Sequence, residues 1–96
     1  MAQIGRGKVT AEWQKLDDVI TGFTPETDSR YELQNIANEE LQLCEGASKP
    51  TDERDGFIIK PYDSAELKKE SGIDFWVRAK YSSTTINLGT LEEVQQ

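Results

Sequence analysis

Between Asp74 and Leu88 the chain alternates with a period of two, and that pattern constrains the fold more than any other feature. Phe75, Val77, Ala79 and Tyr81 take turns with Asp74, Trp76, Arg78 and Lys80. Successive side chains of a strand point to opposite faces, so this run predicts a strand with one buried face. Small polar residues follow, and then Ile86 and Leu88 alternate with Thr85 and Asn87. The spacing predicts a β-hairpin that closes an all-β domain. Its core face is Phe75, Val77, Ala79 and Tyr81.

The rest of the chain reads in the same terms. Residues 1–8, with Gly5 and Gly7 around Arg6 and Lys8 next, are expected to form a flexible N-terminal arm. A first strand follows from Val9 to about Leu16, with Trp13 in its inward set. A helix through residues 11–20 competes, because Trp13, Leu16 and Ile20 also fall at helical spacing. Residues 23–29 are a loop around Pro25. Residues 30–36 form a second strand with Tyr31, Leu33 and Asn35 on one face, and residues 41–45 return as a third. Their short connection predicts an antiparallel hairpin.

Gly46–Gly56 is the longest irregular piece. A fourth strand over 56–60 ends at Pro61. A fifth over 64–69 is short and charged, as an edge strand can be, although its Ala, Glu, Leu and Lys would also suit a helix. Residues 91–96 are a C-terminal tail. About seven strands with turns between them predict a single antiparallel β-sandwich over 9–90, with a small β-barrel as the alternative.

Ninety-six residues make one domain, and only 35% of them are hydrophobic. A core this thin is a reason to expect an oligomer or an assembly component. The net charge of −7, with no basic block, argues against a nucleic-acid partner, which needs clustered Lys and Arg. The start of the chain has no apolar signal segment and no apolar run approaches ~20 residues. Synthesis in a cytoplasm with no membrane address is therefore expected.

Catalytic equipment is sparse. The sequence has no histidine and one cysteine, which removes the commonest general base and a structural zinc site of the ordinary type. Aligned to a calcium loop with Gly56 at its sixth position, residues 51–62 place Tyr62 where the closing Glu belongs, and the match fails. The doublets Asp17-Asp18, Glu39-Glu40 and Glu92-Glu93 are poor catalytic pairs, because neighbours in a strand point apart. Cys44 has no basic neighbour in sequence and reads as an inert thiol. No enzyme activity, cofactor, metal or small-molecule substrate is expected.

Trp76 is out of phase with the core face and shares its own face with Asp74, Arg78 and Lys80. A large aromatic beside an arginine suits a protein interface. Coverage by a loop of its own chain is the other reading, and stacking on a sugar ring a third.

Four segments carry a resemblance: Tyr31-Glu-Leu-Gln-Asn; Leu43-Cys-Glu-Gly-Ala with Pro50; Gly56-Phe-Ile-Ile-Lys-Pro; and Gly72-Ile-Asp-Phe-Trp-Val-Arg-Ala. Together, over roughly residues 9–89, they resemble small β-sandwich structural proteins of tailed bacteriophages. The resemblance implies a non-enzymatic virion component: a head or tail decoration, collar or fibre-associated protein. It would be made in the host bacterial cytoplasm and would act by assembling with other virion proteins, as a homo-oligomer. Trp76 and Arg78, with Arg6 and Lys8 of the arm, are the expected partner-binding residues. A carbohydrate-binding module and a small acidic inhibitor of a host enzyme are the alternative functions.

Overall fold

The computed structural model describes residues 2–52 and 54–91. It is all-β. Eight strands and one helical turn run in the order β1 (Ala2–Thr10), β2 (Gln14–Lys15), α1 (Leu16–Val19), β3 (Arg30–Asn35), β4 (Leu41–Gly46), β5 (Phe57–Ile59), β6 (Ser64–Lys68), β7 (Asp74–Ala79) and β8 (Ser83–Leu91). They form two separate four-stranded antiparallel sheets, ordered β1-β8-β3-β6 and β2-β7-β4-β5. The architecture is therefore a sandwich and not a barrel.

The core lies between the sheets and is built by alternation. Leu33 of β3, Leu41 of β4, Val77 of β7, and Ile86 and Leu88 of β8 are fully buried. At about 1.5–3 kcal/mol for each such side chain, this inner layer supplies the main favourable term in folding. Tyr31, Leu33 and Asn35 share the inward face of β3, as their spacing predicts.

Both predicted hairpins are absent. β3 pairs with β6 and β8, whereas β4 pairs with β5 and β7. β7 and β8 likewise lie in opposite sheets. Among the described strands only β4 and β5 are both consecutive and paired; every other connection changes sheet. The physical reason is that alternation specifies an inward face without specifying which side of the core the strand lies on.

The two sheet-crossing corners brace each other. The Glu39 carboxylate accepts hydrogen bonds from the Ser82 and Ser83 amides at 2.5 and 2.6 Å, and the Lys80 amide donates to the Glu40 carbonyl. Asn35 is fully buried at this junction. Its Nδ2 donates to the carbonyls of Glu39 (2.7 Å) and Ile59 (3.1 Å), and its Oδ1 accepts from the Thr84 hydroxyl (2.7 Å). One amide thus ties β3 to β5, β8 and the corner between β3 and β4. Tyr81, expected in the core, sits past the end of β7 on this turn and is 70% exposed.

The expected N-terminal arm is also corrected, because residues 2–8 belong to β1, paired with β8 along its length. Gly5 and Gly7 stand there for clearance. A Cβ on Gly7 would lie 2.5 Å from Val19 Cγ1 and 2.6 Å from the Val19 carbonyl, and one on Gly5 would crowd Ile20. The two glycines let α1 seat Ile20 in the core. The expected first strand is accordingly broken: β1 ends at Thr10, and Leu16 and Ile20 reach the core from a helical turn. The competing helix survives only as that turn. Of the expected tail, Leu91 closes β8 and 92–96 lie outside the described residues.

Candidate interaction surface

The outward side of the β2-β7-β4-β5 sheet carries Trp76, and the pairing register defines its neighbours. One row runs Cys44, Trp76, Lys15 across β4, β7 and β2. The next runs Ile58, Gln42, Arg78 across β5, β4 and β7. Trp13, one residue before β2, falls beside Arg78 in that row.

Most of this face is engaged by the chain itself. The Trp76 indole N–H donates to the Gly46 carbonyl at 3.1 Å, and the ring is half-buried. Arg78 is 8% exposed; its Nε donates to the Ala11 carbonyl at 2.9 Å and its Nη1 to Gln42 Oε1 at 2.8 Å. Trp13 is buried but lies outside the central core cluster, and its indole N–H donates to the Asp52 carbonyl at 3.1 Å. Trp13 was expected inward; it is buried instead under the segment after β4. Buried indole and guanidinium donors need acceptors, and here they come from three places. The Asp52 carbonyl of the loop after β4 serves Trp13, and the Gly46 carbonyl at the end of β4 serves Trp76. The Ala11 carbonyl before β2 and the Gln42 side chain serve Arg78.

Arg6 and Lys8 are exposed on β1, in the other sheet. The four expected partner-binding residues therefore fall as two pairs on opposite sheets of the sandwich, Arg6 and Lys8 on one and Trp76 and Arg78 on the other.

A different apolar surface emerges at the free edge of β5. The described large hydrophobics that stand exposed are Phe57 (61%), Ile58 (44%), Tyr62 (74%) and Tyr81 (70%). Gly56 makes this edge possible. Its φ of +82° is in the left-handed region, and a Cβ there would collide with the Leu43 carbonyl, so only glycine turns the chain into β5 this close to β4. Ile59 then points inward against Leu41, while Ile58 points out beside Gln42.

Beside Ile58 and Tyr81 opens a cleft of about 600 Å³ whose described lining includes Arg54, Arg78 and Lys80. Two of these cations stand in ion pairs, Arg54 in an exposed one and Lys80 in a half-buried one. Arg54 meets Asp52 at 3.2 Å and Lys80 meets Glu40 at 3.0 Å. The Arg54 hydrogen bonds hold the Asp52 carboxyl below its ordinary value, and the hydrogen bond to Glu40 holds Lys80 above its own. Cys44, on the same face, is pushed up by burial and then by Asp55 and Glu45.

Sequence reasoning missed this edge for two reasons. It placed Tyr81 in the core, and it read Phe57-Ile-Ile simply as a strand. The available signal was an unalternated apolar run in an antiparallel domain: such a strand must turn one apolar face away from the core. Among the described residues, no three His, Cys, Asp or Glu side chains gather as a metal-holding group. Comparison with known proteins finds no matching family model, no matching curated protein and no matching solved structure.

Proposed function

We propose that this chain is a non-enzymatic accessory component of a tailed-phage virion, built into the particle by contacts with other virion proteins. The observation that supports the reading is that Phe57 and Ile58, on the open edge strand β5, both stand exposed. Phe57 and Ile58 on an open strand edge are unusual for a free-standing domain, and exposed edges are ordinarily blunted by charge. Placement in a virion rests on the resemblance stated above, and the surface supplies the means of attachment.

The test is incorporation. Virions purified from cells carrying the chain's own genome should contain it by mass spectrometry, and Ile58→Asp should remove it while leaving the circular dichroism spectrum unchanged. Virions that lack the wild-type chain when purified from cells expressing it, or an Ile58→Asp chain incorporated at full occupancy, would refute the proposal.

A further inference from the structure

We infer that the free edge of β5 pairs with the β5 edge of a second copy of this chain, antiparallel about Ile58, joining two β2-β7-β4-β5 sheets into one. The inference rests on the assembly reading above and names one partner as the chain itself.

The core face of β5 is unfinished. Phe57 lies opposite Leu43 of β4, and Leu43 is buried on the inward side of the sheet. Residues directly opposite share a face, so Phe57 points inward too, yet it is 61% exposed. Ile58, on the other face, is also exposed. β5 hydrogen-bonds to β4 on one side only, so its other side offers backbone N–H and C=O groups to an incoming strand. The other three edges are poorer. β6 shows Glu66 and Lys68 to solvent and β1 shows Arg6 and Lys8, charges that discourage strand addition. β2 is two residues long.

β5 itself is the strand that fits. A partner must set apolar residues opposite Phe57 and Ile59 on the inward face and opposite Ile58 on the outward one. The run Phe57-Ile58-Ile59, reversed, does so. Ile58 meets Ile58, and Phe57 of each copy meets Ile59 of the other. Cross-strand apolar pairs stabilise a sheet, and the added strand covers both Phe57 rings. The flanks agree as well. Asp55 stands before β5 and the exposed Lys60 after it, so antiparallel pairing brings Lys60 of one copy beside the Asp55–Gly56 step of the other. Opposite charges then lie together at both ends, and Lys60 falls opposite a glycine with no side chain to obstruct it. The two-fold axis through Ile58 makes the contact isologous and closes it at two copies. Three paired residues from each copy fall short of the roughly 1,200 Å² of a stable interface, so the dimer forms where copies are concentrated.

The two-fold makes residue 58 the position on β5 that meets itself. In a Cys44→Ser background, Ile58→Cys should therefore cross-link between copies under mild oxidation. Phe57→Cys, which faces Ile59 of the other copy, should cross-link at least about tenfold more slowly. Sedimentation equilibrium of the wild-type chain from about 10 µM to about 1 mM should show the mean mass climbing from the monomer toward twice it. Amide exchange at residues 57–59 should slow over the same range. Added salt should favour the dimer, because it screens the net charge of −7 on each copy. Ile58→Asp should stay monomeric with its circular dichroism spectrum unchanged. A monomer throughout that range, a dimer that leaves 57–59 unprotected, or Phe57→Cys cross-linking as fast as Ile58→Cys would overturn the inference. If Ile58→Asp abolishes incorporation into virions while the wild-type chain stays monomeric, the inference falls and the assembly reading stands. If the dimer forms and the chain is absent from virions, the assembly reading falls instead.

Discussion

Replacing Asn35 by alanine should cost this domain between about a fifth and three fifths of its stability. The amide is fully buried and makes three hydrogen bonds, to the carbonyls of Glu39 and Ile59 and from the Thr84 hydroxyl. A net hydrogen bond is worth about 1 kcal/mol, and a buried group stripped of its partner loses about 1–3 kcal/mol. Thr84 has a second acceptor within reach, the Glu39 carbonyl at 3.4 Å, so turning its hydroxyl re-satisfies two of the three groups in part. The Ile59 carbonyl has no such rescue from Thr84. The expected loss is therefore about 3 kcal/mol, against roughly 5–14 kcal/mol for a domain of this length.

Urea unfolding followed by tryptophan fluorescence would measure it. With a slope of about 1 kcal/mol/M, the midpoint should fall by about 3 M with the slope unchanged. Asn38→Ala, at an exposed position in the same connection, should stay within about 0.5 kcal/mol. A loss below about 1 kcal/mol for Asn35→Ala would refute the argument that this amide holds the sheet-crossing corners together.

Two further outcomes follow from the packing and the electrostatics. Gly7→Ala should destabilise by about 1–3 kcal/mol, the usual cost of overpacking, because the added Cβ meets Val19; a flexible arm would instead gain from losing a glycine, so chemical denaturation decides the sign. Cys44 should react with iodoacetamide more slowly in the native state than in urea at the same pH, because burial raises the thiol's pKa and leaves less thiolate. The linked stability is complete below the unfolded thiol's pKa and is lost as pH rises through the folded one. Equal alkylation rates in the two states would contradict this.

Strand formation and the inner faces were legible in the sequence because they depend on local alternation. Tyr31, Leu33 and Asn35, and Phe75, Val77 and Ala79, declare their face by spacing alone. The irregular 46–56 stretch, the charged edge strand β6 and the end of β5 before Pro61 could be read from residue type. The candidate site was less legible. Trp76 and Arg78 were correctly placed on the outer face, but sequence cannot show that the Gly46 and Ala11 carbonyls occupy their donors. Tyr81 kept the rhythm of its strand in sequence while the backbone had already left the sheet.

What the sequence by itself determined is the class of fold: period-two runs of limited length can bury their apolar residues only as packed sheets. The tertiary structure decided which strands are neighbours. A short connection serves a hairpin or a crossing between sheets equally well, and long-range pairing selects between them. It also decided that Gly5 and Gly7 are clearance and not flexibility, because the reason lies in α1, packed against them from elsewhere in the chain. The open edge of β5 belongs to the same category. A strand edge is free or paired only once every other strand has found its place.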